Sequence, residues 1–449
     1  MTDGDASGTG PGPAADRDAE PDPFDAFRQV VALPGDVFVL SLAMFAFSLG
    51  FQATGRYLPQ YLEVLGASSV AIGLYGSVGN LISAVFPYPG GALSDRLGSR
   101  TSLTLFGLAS TVGFLVWWGA DPFRGVVVGP TNLAVVLVFV GLFCSQAWKS
   151  FGLGATFAVV KQSVPPDRLA SGFAATETFR RTAFLLGPLL AAAAVSVYAF
   201  TEGFRLVLLG AAAVGLVATV AQYLLYDATN DSFGKSFAGV DTVVSDLRSL
   251  PAPLRPLLVG DALVRFANGM VYVFFVIVVV DAGVGATLPV VGTLSPAAYF
   301  GVLLGVEMAV ALLTMVPVAR LTRRVGLKPV VALGFAVYAV FPALLILAPA
   351  DPAVFAALFA FSGLRFAGLP AHKALIVGPA AADAGGRVTG TYYLVRNLVT
   401  IPSALAGGWL YGRDPTVAFG LATAVGLVGV AFFLARGREF DPAAGAGAE

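Results

Sequence analysis

Ser145–Gly154 reads SQAWKSFGLG, with LAVVLVFVGLFC (Leu133–Cys144) before it and ATFAVV (Ala155–Val160) after it. The whole run is long enough to cross a bilayer core, which takes about 20 apolar residues. A lysine, Lys149, stands in its middle. A charge inside such a run costs roughly 2.5–3.5 kcal/mol on insertion scales, so it faces a partner or a water-filled interior. Lys149 therefore predicts a membrane-spanning helix that lines a cavity.

The composition agrees. Of 449 residues, 57% are hydrophobic and 12% charged, against roughly 25% charged in an ordinary soluble chain. Mean hydropathy is +0.81. Apolar runs predict twelve spans, at 37–62, 69–93, 101–120, 132–160, 169–199, 204–226, 256–281, 297–320, 328–349, 352–378, 387–411 and 416–435. Residues 1–35, rich in Gly, Pro, Ala and Asp, read as a disordered cytoplasmic tail. The rest divides into an N-terminal bundle at 36–226, a cytoplasmic linker at 227–255, a C-terminal bundle at 256–436 and a tail at 437–449. The linker predicts a short surface helix at Asp241–Leu250.

Lys and Arg set the orientation. With both termini cytoplasmic, the outer loops hold only Arg124, Arg205 and Arg413, while the inner ones hold Arg96, Arg100, Arg320, Arg324, Lys328 and others. The expected location is the cell membrane.

The halves repeat. LSDRLGSR (Leu93–Arg100) follows the second span and LTRRVGLK (Leu321–Lys328) the eighth; WKSFGLGA (Trp148–Ala155) matches LRFAGLPA (Leu364–Ala371), which sets Lys149 opposite Arg365. Six spans, a linker and six more make a duplicated transporter architecture.

GALSDRLGSR (Gly91–Arg100) resembles the signature loop of the major facilitator superfamily, Gly-x-Leu-Ala/Ser-Asp-Arg-x-Gly-Arg-basic, with Ser99 in place of the first basic residue. The resemblance covers the chain from about residue 36 onward. It implies an all-α polytopic fold of twelve helices in two pseudo-symmetric six-helix bundles, which rock about a central cavity. It also implies a gating role for Asp95, Arg96 and Arg100. LLGPLLAA (Leu185–Ala192) carries the Gly-Pro of the family's drug-antiporter signature without its other glycines.

Helical rise places cations from four spans, the fourth, fifth, tenth and eleventh, in one broad layer. Counted from the nearest cytoplasmic turn, Lys149 comes out at roughly 24 Å, Arg180 and Arg181 at roughly 18–20 Å, Arg365 at roughly 20 Å and Arg396 at roughly 14 Å. With Trp148 beside them, these are the candidate substrate-binding residues. Glu177, Asp261 and Glu307 are candidates for proton coupling, and His372 is another titratable group. The bland alternative is local pairing: Glu177 with Arg180 or Arg181, and Asp261 with Arg265, both at helical spacing. Arg56, near the outer end of the first span, reads as a side chain that can snorkel to the surface.

Other chemistries find no support. One cysteine and one histidine, Cys144 and His372, argue against a metal site. NDSFGKS lacks the glycine that a phosphate loop needs at position 229, which is Thr229. Zero formal net charge gives no general attraction to nucleic acid. No nucleophile–base pair stands at readable spacing, so an enzyme is not expected, nor a cofactor. The expected function is secondary active transport of a small solute, favoured to be an organic anion, by a monomer with a proton or other ion as candidate coupling partner. The alternatives are a proton-driven exporter of lipophilic or cationic compounds, and a transporter-like sensor or scaffold that moves nothing.

Overall fold

The structure is a computed structural model that describes residues 35–151, 169–226, 251–252, 254–289, 292–377 and 385–439. Among the described residues, ten helices are long and apolar enough to cross a membrane. They correspond to predicted spans one, three to ten and twelve. Spans two and eleven are also helical, but each is broken at a proline. Span two runs Ser69–Val85 and then Pro87–Leu97. Span eleven runs Gly385–Thr400 and then Ser403–Tyr411, with Pro402 at the break. Proline removes one backbone donor and crowds the preceding turn, so each span bends there instead of running straight. The predicted Asp241–Leu250 helix lies outside the described residues.

Duplication is visible in the neighbours each span keeps. Span one packs on spans five and six, as span seven packs on spans eleven and twelve. Span three packs on four and six, as span nine packs on ten and twelve. The halves meet where span two lies against span eleven and span five against span eight. These two contacts exchange under the same pseudo-symmetry. Lipid supplies no hydrophobic force that drives helix onto helix, so close approach depends on small side chains. Gly73 of span two lies over Gly408 of span eleven; a Cβ there would come within 2.9 Å of the Gly408 Cα. On the other contact, a Cβ on Gly305 would meet Leu189 Cδ2 at 2.7 Å.

The two signature loops adopt the same turn. Gly98 has φ 80° and Gly326 has φ 89°, and each ends one helix and starts the next. Only glycine takes this backbone region at no steric cost. The clamps beside the turns differ. In the first half, Arg100 Nε and Nη2 donate to the Tyr223 carbonyl at 2.8 and 2.5 Å, a cation on the last turn of span six. In the second half, the Glu439 carboxylate accepts from Leu327 N and Lys328 N at 2.8 and 2.9 Å, an anion on the first turn of span nine.

We call the end where the chain enters span one and leaves span twelve proximal, and the opposite end distal. The distal ends of the halves are joined. Tyr57 OH donates to the Ala297 carbonyl at 3.0 Å, and its ring meets Phe300 edge-on. Leu405 N donates to Ser77 Oγ at 2.9 Å, and Asn80 Nδ2 to the Thr400 carbonyl at 3.3 Å. Two short antiparallel hairpins, Val127–Val128 with Thr131–Asn132 and Ala286–Leu288 with Gly292–Leu294, decorate this end.

Candidate functional site

Beneath the distal contacts lie two cavities lined by both halves. The larger, about 330 Å³, is walled by Asn80 of span two, Arg265 and Asn268 of span seven, and Tyr338, Arg365 and Arg396 of spans nine, ten and eleven. The smaller, about 190 Å³, is walled by Gln52 and Arg56 of span one, Arg180 and Arg181 of span five, and Glu307 and Met308 of span eight. They share Tyr272 and Phe366. Tyr272 opens a 3-10 turn, Tyr272–Phe274, that interrupts span seven between Leu254–Val271 and Phe275–Asp281. The tightened turn sets its ring under the Arg56 guanidinium, 4.1 Å from the centroid.

Two buried carboxylates organise the cations. Glu307 lies 2.7 Å from Arg365 Nη2 and 3.5 Å from Arg56 Nη2, and it accepts from Ser362 Oγ at 2.5 Å. Arg365 is itself boxed by aromatic faces, with Tyr338 at 4.8 Å and Phe366 at 4.7 Å. Its Nε and Nη1 have no hydrogen-bond partner. A planar cation stacked on π faces is held in place without a second hydrogen bond. Asp261, wholly buried, gathers Arg265 Nε at 3.3 Å, Arg396 Nη1 at 3.4 Å, His372 Nε2 at 3.3 Å and the Tyr392 hydroxyl at 3.1 Å. Arg265 reaches on to the Tyr338 hydroxyl at 3.0 Å, and Arg396 to Asn397 Oδ1 at 3.0 Å. The two networks touch through Tyr338, whose ring Arg265 and Arg365 share.

Of the residues singled out from sequence, Arg365, Arg180, Arg181 and Arg396 line this central space, as does Glu307. Asp261 sits behind the wall, under Arg265 and Arg396. The local Asp261–Arg265 pair exists, but within a larger network. Arg180 lies 5.4 Å from the Phe184 ring, and Arg181 Nη1 3.9 Å from Met315 Sδ of the other half.

Lys149 is not among the residues that line either cavity. It is exposed on a π turn, Ala147–Phe151, at the end of the described part of span four, 5.8 Å from the Phe51 ring. Its repeat partner Arg365 stands at a comparable defect, where span ten breaks at Gly368 between Pro352–Ala367 and Leu369–Val377. Trp148 is buried and stacks on Phe47, centroids 4.6 Å apart, with its Nε1 unpartnered. Arg96 is exposed. Asp95 and Glu177 lie on helices, but their side chains fall outside the described residues.

Arg56, whose place near the outer end of span one also allows it to snorkel, does not do so. It turns inward to Glu307 and Tyr272. The signal was present: Gln52 and Arg56 stand four apart, one turn on one face, and both line the smaller cavity. Tyr338, Phe366 and Asn80 were missed because aromatic and amide side chains in a span look the same in sequence whether they pack or line.

The model of the Major Facilitator Superfamily matches residues 8–143 and 40–297. An MFS-type transporter of Methanocaldococcus jannaschii is 22% identical over 395 residues, 86% of this chain and 91% of its own. A POT family transporter solved in complex with 5-aminolevulinic acid aligns with a TM-score of 0.70 at 14% identity, over 91% of this chain and 99% of that one. The nucleoside transporter NupG aligns with a TM-score of 0.67 at 13% identity, over 90% of this chain and 99% of that one. At such identities the two solved structures speak for the fold alone. With its duplicated helical halves, its cation-lined central space and a family match over more than half its length, the chain belongs to the major facilitator superfamily, as a multi-pass membrane transporter of a small molecule and not an enzyme.

Proposed function

We propose that the protein is a secondary active transporter of a small organic anion, which binds between the halves and crosses by alternating access. One observation carries this reading. The larger cavity is lined by three arginines and no acid, and the smaller by three arginines and one glutamate. Confined cations of one sign repel one another, and an anionic solute relieves that repulsion. Arg365, fixed by Tyr338 and Phe366, is the anchor from the second half. Arg180, Arg181 and Lys149 are the cations of the first half that join it, with Trp148 setting the wall behind Lys149. Asp261, Glu307 and Glu177 are the carboxylates available for proton coupling. Asp95, Arg96 and Arg100 form the proximal gate, the protein sits in the cell membrane, and both termini are cytoplasmic.

Counterflow in proteoliposomes tests the substrate class. Vesicles preloaded with a mixture of carboxylates and phosphate esters should take up a labelled anion of the same class, and unlabelled anions should compete. Uptake competed only by cationic or neutral lipophilic compounds would overturn the reading.

A further inference from the structure

The charge arithmetic of the site goes further than its sign. Four arginines, Arg56, Arg265, Arg365 and Arg396, converge on two carboxylates, Glu307 and Asp261. All six side chains are described, and their ion pairs link them into one continuous group through the Tyr338 ring. Counting the arginines and carboxylates alone, the group holds a surplus of two positive charges. That surplus sits in a space closed by Tyr57 and the Gly73–Gly408 contact on its distal side. Arg365 is 3% exposed, so water compensates it poorly. A buried unpaired charge is strongly destabilising, and each of two surplus charges needs a counter-charge beyond the two carboxylates that, among the described residues, pair with these arginines.

We propose that the larger cavity is built for a dianion: a small dicarboxylate or phosphate monoester that brings two negative charges in one molecule. This rests on the organic-anion reading and sharpens it. The volume suits such a solute, since about 330 Å³ lies at the small end of ligand-sized pockets, roughly 300–1,000 Å³. The lining suits it as well. Arg265 and Arg396 have guanidinium groups partly open to the cavity, at 24% and 17% side-chain exposure, so an anionic group can reach them without breaking their bonds to Asp261. Arg365 stands on the same wall as a second, fixed anchor. Asn80, Asn268 and Thr400 offer neutral hydrogen bonds to the body between two charged ends. The Asn268 Oδ1 is buried without a partner, an acceptor suited to a hydroxyl or amino group on that body. A monoanion would leave one positive charge uncovered and would need a small inorganic anion beside it.

Matched ester pairs test this on the purified full-length protein. Succinate and monomethyl succinate differ by one methyl group and one charge. So do methyl phosphate and dimethyl phosphate near pH 8, above the second phosphate ionisation at about 6. In titration calorimetry at fixed salt, the dianion of at least one pair should bind tenfold or more tightly than its ester. Equal affinities within both pairs, tighter binding of the esters, or no binding of any of the four at millimolar concentration would overturn the proposal. Charge variants give a second, independent reading. Arg396→Gln cuts the surplus to one and should bring the affinity ratio within the responsive pair close to unity. Glu307→Gln raises the surplus to three and should widen the ratio. A ratio unmoved in both variants, each checked for an intact melting transition, would also overturn it. The two readings fail separately. If monoanions compete in counterflow as well as dianions, the dianion requirement falls and the organic-anion reading stands. If only cations or neutral solutes compete, both fall.

Discussion

Arg56 and Glu307 meet across the boundary between the two halves, Nη2 to Oε2 at 3.5 Å, while the other oxygen of the same carboxylate holds Arg365. Span one is thereby tied to spans eight and ten through one acid, directly below the distal contacts of Tyr57. On the proposed reading, a solute carboxylate drawn to Arg365 also acts on the acid that holds Arg56.

Arg56→Gln should therefore weaken distal closure. Spin labels at the exposed hairpin positions Val127 and Thr287, one in each half, report it. Loss of the pair should move the distance distribution toward longer separations, with the open-to-closed ratio changing about 5–10-fold, at the low end of coupling between sites. An unchanged distribution would show that Arg56 is only a local partner of Tyr272.

Asp261 is the stability keystone of the second half. Asp261→Asn leaves Arg265 and Arg396 beside a neutral amide in a buried setting, and removing one partner of such a network costs about 3–5 kcal/mol. Tyr392→Phe removes one neutral donor from the same carboxylate and should cost about 1–3 kcal/mol. Thermal unfolding in detergent should rank them in that order. Equal melting temperatures would mean that water, not Asp261, compensates the two arginines.

Bulk at the glycine crossing should jam the cycle without touching the cavity. Gly73→Leu sets a side chain where a Cβ already comes within 2.9 Å of Gly408 Cα, backbone that cannot swing aside. Transport should fall at least tenfold while solute binding to a folded protein persists. Normal flux would mean that spans two and eleven never need to approach as closely as they do here.

Lys149 makes no ion pair among the described residues and stands exposed at the π turn of span four. Lys149→Ala should abolish most transport while leaving expression and melting temperature near wild type, since an exposed side chain leaves no void. Exchanging Lys149 and Glu177 tests the local alternative. Full activity in the exchanged protein would assign the lysine to a structural pair.

Asp95→Asn keeps the size of the side chain and removes its charge at the proximal turn. It should slow exchange between the two access states while leaving solute affinity within about twofold, a shift of at most about 0.4 kcal/mol. An unaltered flux rate in vesicles would remove Asp95 from the gate.

The architecture was legible because it is written in repetition: LSDRLGSR and LTRRVGLK fold to the same positive-φ glycine turn, at Gly98 and Gly326. Helical rise groups the cations in sequence, and in the structure Arg365, Arg180, Arg181 and Arg396 line the two cavities. What sequence could not give was the azimuth of each side chain and the identity of its partner. Arg56 sits near a helix end, where length alone allows either direction, and only the ring of Tyr272 and the carboxylate of Glu307 decide it. Lys149 shows the converse. It is set opposite Arg365 by the repeat, yet it stands on a π turn, and Arg365 lines the larger cavity while Lys149 lines neither. The breaks at Pro87 and Pro402 were also visible as residues, yet their effect is a matter of packing. Spans two and eleven bend where they cross the other half.

The carboxylate of Glu439 on the first turn of span nine has a practical bearing on how the protein is handled. A purification handle or fluorescent reporter joined directly after Arg436 would strip away the group that satisfies Leu327 N and Lys328 N. It would fray the start of span nine beside the second signature turn, and the damage would register as poor solubility or sluggish exchange, far from the fusion itself. Joining the same handle after Glu449 keeps Glu439 in place. The position of a tag thus decides which protein is being measured.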